Sequence, residues 1–361
     1  MHPEQPADRG PSASRGPRLT DHKGPTARDV ARLAGVSAST VSRVLNDSGT
    51  TLISPSTCER VRAAAAELGY SPHPLARALR GKHTQLIGLI AREIEDPFFA
   101  HFISTLSTQA RALGYQIVLG HAQSDPSQAL QMTAVLDARH CDGVLLLGDL
   151  RDDGAATEEI LRQRRAVLAL CRGQSPGPIP TINTDNRHGM RLLLDHLYTL
   201  GHRRLAFING GWLGDIHERR EAFLEYSQLS GLEVTPDDIR TDSNNLDGGY
   251  RALVELMQAP RRPTAVLASD DVMALGALKA ALDLGLRVPA DISITGFDDI
   301  EMARFTSPAL TTVRQPVEAM SRQALAWLMR LIQGELPSEA EQAATVPPAL
   351  VIRQSTGPAP R

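Results

Sequence analysis

Arg43 has the chemistry to read a guanine, because a guanidinium on the outer face of a helix can donate two parallel hydrogen bonds to the O6 and N7 acceptors in the major groove. Ala38, Ser39 and Ser42 fall on the same face, since Val41, Val44 and Leu45 recur at helical spacing on the opposite one. Small residues at the helix start permit close approach to a groove, and Ala38 offers only a methyl, suited to a thymine methyl. Other residues must hold this helix in place. Ser37 is its cap and Gly35 the turn before it. Upstream, Thr26 caps a first helix with Asp29 three positions on, and Val30, Leu33 and Ala34 form its apolar stripe. The run TARDVARLAGVSASTVSRVLN at 26–46 therefore reads as a helix-turn-helix. Its candidate DNA contacts are Thr26, Ala38, Ser39, Thr40, Ser42 and Arg43.

Residues 56–69, STCERVRAAAAELG, complete a three-helix head, with Val61, Ala64, Ala65 and Leu68 apolar and Gly69 as the stop. Then comes YSPHPLARALRGK, where Pro74 is placed as a first helical residue and Gly81 ends the segment about two turns later. So short a helix does not survive alone in water.

The run DVARLAGVSASTVSRVLN resembles the N-terminal signature of the lac-repressor (LacI/GalR) family of bacterial transcription regulators. The resemblance implies that 71–83 is a hinge helix that orders on the operator. In that reading Leu79 is the minor-groove wedge that kinks the duplex, with Arg77 and Arg80 beside phosphates. The loop DSGTTLISPS between the second and third helices is about two residues longer than the family's usual one.

At 361 residues the chain is too long for one ordinary domain, and 42 % apolar composition supplies core for two or three. Its net charge of −3 hides an asymmetry. The first 84 residues hold 12 Lys and Arg against 7 Asp and Glu, a net +5, while the remainder holds 26 against 34, a net −8. A basic head on an acidic body fits a protein that touches DNA with one end. Residues 1–25, rich in Pro, Gly, Ser and Arg, read as a disordered tail without a secretory signal. Cys58, Cys141 and Cys171 lack metal spacing, and no apolar run approaches the length of a membrane span, so we expect a reduced cytoplasmic protein with no membrane partner.

From residue 84 the pattern alternates short apolar runs with amphipathic helices: QLIGLIA, then FAHFISTLSTQARALG, then YQIVLGHA. A second series starts near Thr181 and runs through RRLAFING, TAVLAS and DISITGFD. Such βαβ units imply an α/β body of two parallel sheets with a cleft between them. The phrases DPFF, TDN, LGHRR, GFD and SPALTTVRQP extend the family resemblance over this region and imply a periplasmic-binding-protein-like body. Its subdomains are placed at 84–172 with 314–343, and at 173–313 with 344–361. The helix 316–331 should return to the first subdomain, and LVIRQST should end in the second.

By the same resemblance, Arg219 and Asp298 are the firmest effector contacts, since a guanidinium fork and a carboxylate suit vicinal sugar hydroxyls. Phe98, Phe99, Asp215, Asn244 and Asp270 join them. Asn244 stands where many relatives place a stacking aromatic, Asp215 stands four residues before Arg219, and Cys171 replaces a frequent Asp before the usual Arg172. These changes favour hydrogen-bond donors on the ligand, hence a polyhydroxylated sugar over a purine.

The rival readings are an enzyme or a transporter's solute-binding protein on the same body. No G-x-G-x-x-G follows the first strand, and neither a phosphate-binding P-loop nor a G-x-S-x-G elbow occurs. His121, His188, His196 and His202 are scattered without metal spacing. A solute-binding protein would need export and would leave the helix-turn-helix unexplained. The sequence thus reads as a ligand-controlled, homodimeric DNA-binding regulator of a pseudo-palindromic operator, without cofactor or catalytic residues.

Overall fold

The computed structural model describes residues 25–45, 53–70, 83–122, 125–136, 140–149, 159–162, 166–173, 178–211, 214–232, 234–335, 338 and 342–360. The chain divides into two compact units, 1–77 and 78–361, described separately below. The expected tail through residue 24, the hinge with Arg77, Leu79 and Arg80, and most of the loop after the second helix lie outside the described residues.

In the head, α1 (Ala27–Ala34), α2 (Ala38–Leu45) and α3 (Pro55–Glu67) each have a local reason to start where they do. The Asp29 carboxylate accepts from both the backbone N–H and the hydroxyl of Thr26, at 2.9 and 2.7 Å. Ser37 Oγ accepts from the Thr40 N–H at 3.1 Å. Ser54 Oγ accepts from the Thr57 N–H, with Pro55 as the first helical residue. Gly35 turns the chain at φ 63°, a left-handed conformation that costs glycine little. Val30, Ala31, Ala34, Val41, Val44, Cys58, Val61, Ala64 and Ala65 bury one another as the head's core.

One expectation is corrected here. Leu33 is 48 % exposed and Ala31 is buried in its stead. The three helices meet along the 30, 31 and 34 edge of α1, which rotates the buried stripe away from residue 33.

The body begins with β1 (Leu86–Ala91), α4 (Pro97–Ala112), β2 (Gln116–His121), α5 (Pro126–Val135), β3 (Gly143–Leu147), β4 (Val167–Leu170) and β5 (Thr181–Thr184). It continues through α6 (Asn186–Thr199), β6 (Leu205–Asn209), α7 (Gly214–Leu229), β7 (Ile239–Thr241), α8 (Leu246–Gln258), β8 (Ala265–Ala268), α9 (Asp271–Asp283) and β9 (Ser293–Thr295). Last come β10 (Thr312–Arg314), α10 (Val317–Ile332), β11 (Ala343–Val346) and β12 (Ala349–Val351).

One sheet has the order β11-β5-β4-β3-β1-β2 and the other β7-β6-β8-β9, and every pairing within them is parallel. Strands β3, β4, β6 and β8 are buried along their whole length, which is why they read as unbroken apolar runs without alternation.

The pairing moves the expected boundaries. Thr181–Thr184 does not open the second sheet. It pairs with β4 and β11 in the first, so the first crossing follows residue 184 and not 172. Ala343–Val346 also stays with the first sheet, which shifts the last crossing beyond 343. As expected, α10 returns to the first sheet, packing on α4, β3, β4 and β5. Near the chain's end β12 pairs antiparallel with β10 in a separate two-stranded sheet, and the Ser355 carbonyl accepts from the Ile294 N–H of β9, which brings the end beside the second sheet.

Candidate nucleic-acid face and effector cleft

On α2 the inward residues Val41 and Val44 are buried, and the outward Ala38, Ser39 and Arg43 are exposed. Thr40 and Ser42 are half-buried, the Thr40 hydroxyl lying 2.8 Å from Ser37 Oγ. Thr26 is exposed, with its donors turned to Asp29. The face therefore presents one cation among small side chains, which suits close contact with base edges.

In the body, loops and helix starts at the carboxyl ends of the two sheets' strands close on one cavity of ≈ 30 Å³. All seven expected residues line it: Phe98, Phe99, Asp215, Arg219, Asn244, Asp270 and Asp298. Arg92, Asp96, Ile216 and Gln315 complete the wall. Of these four, Arg92 and Asp96 had a legible signal: Arg92 directly follows β1, and Asp96 precedes Pro97 as the cap of α4, accepting from the Phe98 N–H at 2.8 Å. Phe98 and Phe99 pack edge to face in the core and also line the cavity.

Arg219 is the centre of the site and is 3 % exposed. Its Nε donates to Asn186 Oδ1 at 2.9 Å and its Nη1 to the Ser269 carbonyl at 2.7 Å. Nη1 also lies 3.4 Å from Asp298 Oδ1, and the guanidinium stacks 3.8 Å from the Phe297 ring centroid. Asn186 Nδ2 donates onward to Asp215 Oδ1 at 3.1 Å.

Asp298 accepts from Gln315 Nε2 at 2.6 Å, and Gln315 accepts from the Thr184 hydroxyl, which links the carboxylate to the first sheet. Asp298 and Asp299 have φ of 116° and 57°, a strained pair for side chains with a Cβ. The strain is held by the Asp298 N–H bond to the Val313 carbonyl and by Arg314 and Arg353 on the Asp299 carboxylate.

Asp270 caps α9, its Oδ1 accepting from the Met273 N–H at 2.8 Å, while Oδ2 is buried with no partner. Burial pushes the Asp270 carboxyl up to about 6, and Asp96 adds to the effect. Burial likewise raises Asp298 well above the usual carboxylate range, with Arg219 opposing. Asp215 is raised for the same reason. Neighbouring Asp271, which accepts from the Thr312 hydroxyl and the Ile300 N–H, is pushed up by burial to about 8.

The two sides of the cleft also meet backbone to backbone. The Gly214 N–H donates to Asp149 Oδ2, and a Cβ on Gly214 would stand 2.1 Å from the Arg172 carbonyl oxygen. Only glycine permits that approach. A wider groove of ≈ 640 Å³ shares Phe98 and Asp298 with the cavity. Its other acids are already paired, Asp299 with Arg314 and Arg353 and Glu301 with Arg304, so the partnerless acceptor marks the smaller cavity as the polar site. Among the described residues, no group of His, Cys, Asp and Glu is arranged to hold a metal ion, and no helix is long and apolar enough to cross a membrane.

Residues 26–73 match the family of bacterial regulatory proteins, lacI family, and residues 194–356 match the periplasmic binding protein-like domain. The HTH-type transcriptional repressor PurR of Erwinia tasmaniensis is 34 % identical over 339 residues, 93 % of this chain and 98 % of that protein. This chain belongs to the lacI family. Another relative is the HTH-type transcriptional repressor CytR of Escherichia coli K12, 33 % identical over 86 % of this chain and 90 % of its own length. Among solved structures, a lac repressor dimer bound to operator and the anti-inducer ONPF superposes with a TM-score of 0.82 at 30 % identity, over 93 % of this chain and 100 % of that one. The CelR–cellobiose complex superposes at 0.66 with 31 % identity, covering 92 % and 99 %. As a lacI-family protein, the chain is a DNA-binding transcription regulator whose body answers to a small molecule.

Proposed function

We propose that this lacI-family regulator is a homodimeric repressor of a pseudo-palindromic operator, controlled by a sugar-like effector in the cleft of its body. The observation that carries the reading is the convergence of Phe98, Phe99, Asp215, Arg219, Asn244, Asp270 and Asp298 on one cavity between the two sheets. These residues come from α4, α7, the approach to α8, the cap of α9 and the loop after β9, so a ligand that touches them touches both sheets. The cavity holds one or two waters at most and no sugar. A ligand must therefore part the walls, and that ties binding to the relative setting of the sheets. CelR with cellobiose supports a sugar as the effector class, and lac repressor with its anti-inducer supports a small-molecule effector.

In the head, Arg43 reads guanine, Ala38 and Ser39 lie against neighbouring bases, and Thr26, Thr40 and Ser42 support the docking. By family resemblance Leu79 is the wedge, flanked by Arg77 and Arg80. The second copy fits the β2 edge of the six-stranded sheet, where Leu113, Val118, Leu119 and Val135 are exposed. This parallels the dimeric state of the lac repressor structure.

The test is selection of bound sequences from a random duplex pool by the full chain. One pseudo-palindrome is expected, and Arg43→Ala should relax one guanine position in each half-site by about 1–3 kcal/mol. A non-palindromic site, or unchanged discrimination in the variant, refutes the assignment.

A further inference from the structure

We infer that Asp271 is a positioning residue for the effector site, the group that holds residues 297–300 in the backbone path that turns Asp298 into the cleft. The inference rests on the cleft reading above and adds to it a residue that lies behind the cavity wall. Asp271 opens α9 and is fully buried. Its N–H donates to the Phe297 carbonyl at 2.8 Å, and its Oδ2 accepts from the Ile300 N–H at 2.9 Å. The two bonds bracket Asp298 and Asp299, the pair at φ 116° and 57°. Such conformations persist in residues with a Cβ only where the surroundings over-determine them. Oδ1 accepts from the Thr312 hydroxyl at 2.5 Å, which ties the same carboxyl to β10, the strand whose Val313 carbonyl takes the Asp298 N–H. A Cβ on Gly296 would stand 2.1 Å from Oδ1, so the carboxyl lies directly against the backbone that leads into the loop.

Packing alone does not call for an acid here. Among the described residues Asp271 has no cation within ion-pair distance, and the charged groups acting on it, Asp270 and Asp299, are both acids. An apolar side chain would fill the space without the cost of burying a carboxyl. A carboxyl or an amide supplies what an apolar group lacks, an acceptor for the Ile300 N–H and a second polar atom for Thr312. Burial pushes the group up to about 8, so the neutral acid is well populated near pH 7. Its hydroxyl can then donate to Thr312 while the other oxygen keeps Ile300. An amide reproduces that pattern and a methyl does not. Asp270, one residue earlier, caps α9 and lines the cavity. The start of one helix therefore sets the spacing of two effector contacts, Asp270 directly and Asp298 through the loop.

Hydrogen exchange of the ligand-free full chain, with overlapping peptides that separate Asp298 from Ile300, tests the assignment. In Asp271→Ala the Ile300 amide loses its acceptor outright, so the informative amide is that of Asp298, whose bond to Val313 the substitution does not touch. It should exchange at least about tenfold faster while amides in β6 and β8 keep their rates. Asp271→Asn should bring Asp298 back to within about threefold of the parent chain. Thr312→Val keeps the volume and removes only the second tether, so it should quicken Asp298 by a smaller factor and replaces Asp271→Ala if that variant does not fold. In a crystal structure of the quickened variant, Asp298 should stand farther from Arg219 than the present 3.4 Å. The inference is overturned if Asp298 keeps its rate in the variant that folds, if β6 and β8 quicken equally, or if Asp271→Asn fails to restore the rate. Cellobiose bound with full affinity by Asp298→Ala would instead refute the cleft reading and leave the clamp standing.

Discussion

Arg219 serves three carboxylates at once, and this predicts an asymmetry between mutations at the two ends of one ion pair. The guanidinium lowers the pKa of Asp215, Asp270 and Asp298 against the effect of burial on each. At the 3.4 Å separation from Asp298 and an effective dielectric of about 20, the pair attracts by about 5 kcal/mol before desolvation is counted. Arg219→Met removes that attraction and leaves Asn186 Oδ1 and the Ser269 carbonyl without their donor. The carboxylates limit the damage by taking up protons, so the expected loss is about 3–5 kcal/mol at pH 7.5. Asp298→Asn should cost about 1 kcal/mol or less, because Arg219 keeps Asp215 and Asp270 as counter-charges.

The pH dependence of the Arg219→Met loss has a fixed sign. A carboxylate whose folded pKa exceeds its unfolded value destabilises the fold above both, and that penalty falls away as pH drops through the folded value towards the unfolded one. Without Arg219 the folded values rise further, so the Arg219→Met loss should shrink between pH 7.5 and 5. Urea unfolding of the full chain, followed by tryptophan fluorescence at several pH values, measures both effects. Equal losses for the two variants, or a loss independent of pH, would refute the reasoning.

Two further outcomes follow from packing. Gly214→Ala places a methyl 2.1 Å from the Arg172 carbonyl oxygen, and backbone cannot yield as a side chain does, so the two walls should separate. Amide hydrogen exchange should then quicken in peptides spanning 171–173 and 214–219, and unchanged exchange would show that the contact does not hold the cleft. Val61→Ala opens a void in a head whose core is small, Val61 being fully buried, and should cost about 2 kcal/mol. Operator binding should weaken while effector binding in the body stays the same, and equal weakening of both would contradict the separateness of the two units.

The helix-turn-helix was legible because everything that makes it lies within a few residues: Thr26 with Asp29, Ser37 with Thr40, Gly35 in its left-handed turn, and the 3.6-residue recurrence of Val41 and Val44. The α/β class was legible for the same reason, since buried parallel strands declare themselves as short apolar runs between helices. Membership of a run in a sheet was not. Thr181–Thr184 looks the same whether it opens one sheet or closes the other, and only its pairing with β4 and β11, the latter about 160 residues away, decides the matter. Leu33 failed similarly, because periodicity says that a helix has an apolar side but not how far packing will rotate it.

For the site, the family resemblance brought seven residues together, but their electrostatics are a tertiary fact. Asp96, Asp215, Asp270 and Asp298 are each an ordinary surface acid as far as the chain can say, and two of them already have the local role of a helix cap. Their shared dependence on Arg219, the partnerless oxygen on Asp270 and the backbone contact at Gly214 arise when loops from two sheets converge. Sequence determines local conformation because local interactions act between near neighbours. Charge balance in a buried cavity is a sum over groups far apart in the chain, and only the folded arrangement fixes which groups enter that sum.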